Sequence, residues 1–527
     1  MHLHRGLLAV PSSLLALSLV LAGCTSFADD AADESAATDG SSSAPAEPEV
    51  AEIEWTDCNT QIRPLIADQP GSERNLNFEC GTTEVPISYD EPRGATLPLF
   101  LVRIVMAGQT DRIGSLMINP GGPGGSGADA AIGLALTMPE EVLGRFDLVG
   151  FDPRGVGLST PVECIPDETK EQMFAAEPRP VGDAEIDEAF ALSRQIADGC
   201  AEEYGDALGT FNTVDTARDM DQLREALGDE QLTYLGYSYG TTLGSTYAEL
   251  FPDRVRALVL DAAVDPDGDP VSDAEESAAS LEAGFDAFAQ NCLGLIAGCP
   301  LGADPRGAVE ALLAQAEQTP IPSTELDPDG ETRLATPGIV LTAVLAALYD
   351  TASWPQLAQA LAAGQQGDSA GLFSLVDGYT GRLEDGSYSN LFDANLAINC
   401  ADTDTDAGVA EAEVRSLAAE WSATYPLFGA GSAVGLYTCG VWEADRTPLP
   451  ERDAEGSAPI LVVGNAGDPV TPLPGSVDMA EELDSGVLLT WQGAGHTAYP
   501  KTECVSAAVN AYLINLAPPL DGLTCPA

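Results

Sequence analysis

Two short segments carry side chains capable of nucleophilic chemistry. One is Gly236-Tyr237-Ser238-Tyr239-Gly240, a G-x-S-x-G within "LTYLGYSYGTTLGSTYAELFP". The other is "GAGHT", which holds His496. A serine hydroxyl is a weak nucleophile until a base in hydrogen-bond reach takes its proton. The chain has three histidines, and His2 and His4 fall in a leader-like N-terminal segment. His496 is then the one imidazole left to the mature chain, and imidazole is the side chain that titrates near neutral pH.

A second G-x-S-x-G occurs at Gly367-Asp368-Ser369-Ala370-Gly371. Context separates the two. The motif works as a sharp strand-to-helix turn that holds Ser Oγ above a sheet, with flanking glycines letting strand and helix approach. Ser238 follows an apolar run and opens a helical pattern, whereas Ser369 follows the helix-like "QLAQALAAGQQ". Ser238 is the candidate nucleophile, and Ser369 reads as an ordinary turn serine.

The imidazole needs an orienting carboxylate. Asp468, in "LVVGNAGDPVTP", follows a buried-strand pattern and precedes His496, giving the order Ser…Asp…His of hydrolases built on this kind of turn. Asp265, in "ALVLDAAVDP", is the alternative from the preceding strand. An oxyanion site needs backbone N–H donors beside the serine. The loop "INPGGPGGSG" (118–127) supplies them, with the N–H groups of Gly122 and Tyr239 as candidate donors. The loop lacks the lysine of a P-loop and the glycine spacing of a dinucleotide site. Arg154, in "FDPRGVGLST", reads as a structural ion-pair partner rather than a catalyst.

Seven strand-like runs position these residues: "LPLFLVRIV", "SLMIN", "FDLVGFD", "LTYLGYS", "ALVLD", "ILVVG" and "VLLTW". Several are continuous apolar stretches, as in parallel strands buried on both faces. Helical patterns alternate with them, for instance "VDTARDMDQLREALG", which predicts a doubly wound, mostly parallel α/β fold. The rhythm breaks between about 270 and 455, an Ala- and Leu-rich span read as a mainly helical lid between the sixth and seventh strands, counting one strand before those quoted. The expected organisation is core 51–269, lid 270–455 and core 456–527.

The 527-residue chain has a net charge of −61, from 83 Asp and Glu against 22 Lys and Arg. Such a chain repels nucleic acid and anionic membranes, so neither is an expected partner. The run "GLLAVPSSLLALSLVLAGC" after His2, His4 and Arg5 reads as a signal peptide over 1–23. Pro11 interrupts it, and a spanning helix wants about 20 apolar residues. "LAGC" resembles a bacterial lipobox, which implies a diacylglycerol on Cys24 and a lipid anchor on the outer face of the cell membrane; plain secretion is the alternative. Membrane contact would then run through that anchor alone. Residues 24–50, rich in Ala, Ser and acids, read as a disordered tether.

Eleven cysteines less Cys24 leave ten, an even number in an exported chain, which favours disulfides over metal. Nearest neighbours give Cys58–Cys80, Cys164–Cys200, Cys292–Cys299, Cys400–Cys439 and Cys504–Cys525. "TELDPDGETR" (324–333) lacks calcium-ligand spacing. No metal or cofactor is expected, and the chain is expected to be a monomer.

Taken in order, "NPGGPGGSG", "FDPRGVGLST", "YLGYSYGTTLG", "GDPVTP" and "GAGHT" resemble the secreted tripeptidyl aminopeptidases of actinobacteria, relatives of the prolyl aminopeptidases among the α/β hydrolases. The resemblance covers most of residues 55–525. It implies an α/β-hydrolase fold and a serine exopeptidase that releases short peptides from free N-termini beneath a lid. It also implies Ser238, Asp468 and His496 as triad, with Gly122 and Tyr239 as oxyanion donors. Prolyl aminopeptidases carry His where this chain has Asn119-Pro120, so single-residue proline specificity is not implied. A free α-amine calls for a carboxylate or carbonyl above the site, and "INCADTD" offers Asn399 and Asp402. A carboxylesterase with the same triad is the alternative enzyme. A non-catalytic substrate-binding lipoprotein on a hydrolase fold is the alternative of another class.

Overall fold

The computed structural model describes residues 50–265, 268–328, 330–403 and 408–527. The segments expected as signal peptide (1–23) and tether, with the expected lipid site Cys24, lie outside the described residues up to residue 49.

Among the described residues ten strands form one sheet. In chain order the strands of the molecule are β1 (Thr56–Asp57), β2 (Leu76–Pro86), β3 (Thr96–Met106), β4 (Gly114–Asn119), β5 (Phe146–Phe151), β6 (Leu232–Tyr237), β7 (Val255–Asp261), β8 (Ile321–Leu326), β9 (Thr332–Ala335), β10 (Ile460–Gly467), β11 (Gly486–Ala494) and β12 (Leu523–Cys525). The sheet runs β1-β2-β3-β5-β4-β6-β7-β10-β11-β12, and β8–β9 form a separate hairpin. Pairings from β5 to β12 are parallel, while β1, β2 and β3 add an antiparallel edge. The fold is thus the expected doubly wound α/β type. β4, β5 and β6 are buried at every residue, the physical reason for their unbroken apolar sequences. All seven strand-like runs are strands of this sheet. β2 went unrecognised because its "LNFECGTTEVP" alternates buried with exposed positions and carries polar residues on one face.

Register fixes the working rim. Asn119 of β4 pairs with Gly236 of β6, Tyr237 of β6 with Asp261 of β7, and Asp261 with Val463 of β10. The glycine loop, the Ser238 turn, the Asp468 loop and the His496 loop therefore all leave from the carboxyl ends of neighbouring strands, where parallel α/β sheets place their ligand crevices.

Between Asp261 and Ile460 the chain is mostly helical, with the β8–β9 hairpin. The insertion enters after "ALVLD" and returns at "ILVVG" as read from sequence. Its place is between the seventh and eighth sheet strands, because the two-residue β1 adds one to the count. Its core, including Phe285, Leu313, Val340 and Leu357, also takes in Phe174 from the helix Asp167–Ala175. The lid is therefore built partly by chain that precedes it.

Among the described residues the disulfides are Cys58–Cys80, Cys164–Cys200, Cys292–Cys299, Cys400–Cys439 and Cys504–Cys525, the nearest-neighbour set. They fit an oxidising, extracellular setting. Among the described residues no helix is long and apolar enough to cross a membrane.

Candidate active site

Ser238 sits between β6 and the helix Tyr239–Leu250 with φ 55° and ψ −127°. A positive φ is uncommon for a residue with a Cβ, and it is what a strand-to-helix elbow requires. The glycines explain themselves by distance. A Cβ on Gly236 would lie 2.3 Å from the Gly240 carbonyl oxygen. The helix thus starts within touching distance of the strand, and Ser238 is lifted half-exposed above the rim. Ser369 has none of this geometry. Its φ is −101°, and its buried Oγ donates to the Ile321 carbonyl at 2.9 Å.

His496 Nδ1 lies 3.1 Å and 3.0 Å from the two carboxylate oxygens of Asp468. A carboxylate at Nδ1 holds the proton there and leaves Nε2 as the basic nitrogen. Nε2 is buried without a hydrogen-bond partner. Asp468 is itself fixed by the N–H groups of Val470 (2.9 Å) and Thr471 (3.0 Å) and by Asn465 Nδ2 (3.3 Å). Asp265, the alternative carboxylate, has its backbone against Gly475; the carboxylate that meets Nδ1 is that of Asp468. The lid reaches this loop too: the Tyr349 carbonyl accepts the His496 backbone N–H at 2.8 Å, and the Tyr349 ring meets the imidazole edge-on at 5.3 Å.

The glycine loop packs on the elbow. Gly121 and Gly122 take φ of +90° and +116°. A Cβ on Gly121 would stand 2.8 Å from Ser238 Cβ and 3.1 Å from the Tyr239 nitrogen. Tyr239 is the first helical residue, so its N–H has no intrahelical acceptor. The loop and this N–H flank the serine from one side.

The lid helix Leu391–Asp402 lies over the same loop. Asn395 Nδ2 donates to the Pro123 carbonyl at 3.0 Å, and the exposed Asn399 donates to Asn395 Oδ1 at 3.2 Å. Asp402 accepts the Thr213 N–H (2.8 Å) and hydroxyl (2.7 Å), and Thr213 Oγ1 bonds the Tyr239 hydroxyl. Asp402 is thereby coupled to the elbow helix, while Asn399 touches the site only through Asn395. Burial pushes the Asp402 carboxyl up to about 7, against the opposing pull of the Thr213 donors.

Arg154 is fully buried. Its guanidinium spans both oxygens of Asp219 at 2.8 Å and 2.7 Å and donates to the carbonyls of Pro86, Ile87 and Thr210. It is the ion-pair partner expected from its sequence setting.

Three residues beside the triad positions escaped the sequence reading: Asn465, Thr471 and Asp261. Asn465 also donates to the Gly495 carbonyl at 3.1 Å, and Thr471 Oγ1 lies 3.4 Å from His496 Nδ1. Asp261 is buried at the end of β7, where its carboxylate accepts the N–H groups of Ala498 (2.9 Å) and Tyr499 (2.7 Å). Burial pushes it up to about 6, opposed by those two donors and by the charges of Lys501 and His496. An aspartate closing the apolar run "ALVLD" was the available signal.

The family model for the alpha/beta hydrolase fold matches residues 114–501. The chain is 37% identical to the serine protease Hip1 of Mycobacterium tuberculosis, over 98% of each chain. It is 35% identical to that organism's carboxylesterase B, again over 98% of each. It is 29% identical to the tripeptidyl aminopeptidase of Streptomyces coelicolor, over 90% of this chain and 86% of that one. With the elbow, the parallel sheet and the helical insertion already in place, this chain belongs to the α/β hydrolase family.

Proposed function

We propose that this chain is an exported serine exopeptidase that releases short peptides, tripeptides among them, from free N-termini. The observation that carries the reading is the pairing of His496 with Asp468 at Nδ1 while Nε2 stays buried and open. Ser238 Oγ attacks the scissile carbonyl carbon, and Nε2 takes its proton and passes it to the leaving amine. The acyl-enzyme on Ser238 is then hydrolysed by water that His496 deprotonates. Asp468 stabilises the imidazolium, and the N–H groups of Gly122 and Tyr239 receive the oxyanion. Asp402 pairs with the substrate's α-ammonium from the lid, with Asn399 beside it. The tripeptidyl aminopeptidase and serine protease relatives support a peptidase. Five disulfides support export, and Cys24 supplies the anchor in this reading.

The carboxylesterase relative favours a second reading, ester hydrolysis by the same residues. The test compares a free-amine tripeptide anilide, its N-acetylated form and a simple aryl ester. The exopeptidase reading expects turnover of the first, rejection of the second and loss of all turnover in Ser238→Ala. Equal turnover of free and acetylated forms would move the assignment to the esterase.

A further inference from the structure

Asp261 binds the two catalytic loops to each other. Its main chain faces one: the Ser238 N–H donates to the Asp261 carbonyl at 3.0 Å. Its side chain faces the other: Oδ1 and Oδ2 accept the Ala498 N–H at 2.9 Å and 3.1 Å, and Oδ2 accepts the Tyr499 N–H at 2.7 Å. One residue therefore holds both the elbow and the segment two residues past His496. A second tie runs in parallel, from the Tyr237 hydroxyl to the Tyr499 carbonyl at 3.3 Å. Lys501 closes the same loop by donating to the His496 carbonyl at 2.6 Å.

The placement is costly unless it serves something. A carboxylate buried at the end of an apolar strand loses its hydration, and two backbone donors and a nearby lysine only partly replace it. An amide or hydroxyl would accept a hydrogen bond there without that penalty. What the carboxylate adds is a pair of acceptors for two successive N–H groups.

We propose that Asp261 is a positioning residue for the reaction: it sets the placement of Ser238 relative to His496 by hydrogen-bonding both loops. This rests on the triad reading above. The claim differs from a general structural role because proton transfer is sensitive to distance, whereas the lid residues that bind substrate are carried by other elements. Misplacement of a catalytic group by about 1 Å costs on the order of 100-fold.

The test uses the full chain with its disulfides formed. Asp261→Asn keeps one acceptor oxygen and removes the charge, and Asp261→Ala removes both. The expected result is a graded fall in kcat, about 10-fold for Asn and about 100-fold for Ala. KM for the tripeptide anilide should stay within twofold. Fluorophosphonate labelling of Ser238 should slow in the same order, since that reaction also needs the base. If the alanine variant does not fold, the asparagine variant decides by its kcat and KM split. Unchanged kcat in a folded variant overturns the proposal, as does a rise in KM with kcat intact. Ser238→Ala runs alongside. If it is inactive while the Asp261 variants match wild type, only the positioning role fails. If it stays active, the triad reading fails and this inference with it.

Discussion

Asp468 and His496 meet through both carboxylate oxygens, at 3.1 Å and 3.0 Å from one ring nitrogen. They lie 28 residues apart, on the loops that follow β10 and β11. An acceptor in that place fixes which nitrogen carries the proton, and Asn in its place can present an N–H instead. Asp468→Asn is expected to lower kcat by about 10⁴-fold, as for the equivalent change in a serine protease triad. Steady-state kinetics on the tripeptide anilide would read it. A fall below tenfold would assign the orienting role elsewhere.

Asp402 gives a pH dependence with a definite sign. Burial raises this carboxyl to about 7, so it gains a proton as pH falls through that value. A neutral acid no longer pairs with an ammonium. KM for free-amine substrates should therefore rise as pH drops from about 8 to 6, and Asp402→Asn should flatten the curve at a high KM. An aryl ester without an amine should show no such change in KM. Measuring KM across that range for both substrates checks the assignment.

Gly121 has no room for a side chain. A Cβ there would sit 2.4 Å from the Tyr237 carbonyl oxygen and 2.8 Å from Ser238 Cβ, and its φ is +90°. The nearest obstacle is backbone, which cannot swing aside. Gly121→Ala should cost about 1–3 kcal/mol in stability and on the order of 100-fold in kcat. Denaturant melts and kinetics together would show both losses. Retained activity would mean the loop does not serve the oxyanion.

Arg154 predicts the opposite pattern. Removing it leaves Asp219 buried without its partner, a change worth about 3–5 kcal/mol. Arg154→Ala should lower the urea midpoint sharply, while the folded fraction keeps near wild-type KM and kcat. A stable variant with collapsed kcat would make Arg154 a participant in the chemistry.

The Cys400–Cys439 bond holds the C-terminal turn of the lid helix Leu391–Asp402, which lies against the glycine loop. A disulfide closing a loop of this size contributes about 2–4 kcal/mol. The double Cys400→Ser, Cys439→Ser variant should melt earlier, with KM rising more than kcat falls because Asp402 loses its fixed position. Unchanged KM would separate Asp402 from substrate binding.

What the sequence determined by itself was local. Glycines two residues either side of Ser238, an apolar run before it and a helical pattern after it specify an elbow. His496 is the one histidine outside the N-terminal segment that reads as a leader, which singles it out as the candidate base, and cysteines pair with the next one along. The seven strands were legible because burial on both faces writes an unbroken apolar run, whereas β2, solvated on one face, did not stand out. What only the tertiary structure decided was through-space. Asp261 reaches partners 237 and 238 residues away, and Thr213 meets Asp402 across 189. No spacing rule carries such pairs. They exist because parallel register gathers the ends of β7, β10 and β11 at one rim and because the lid lays its helix over that rim, so that buried donors and acceptors find each other only once the sheet has closed.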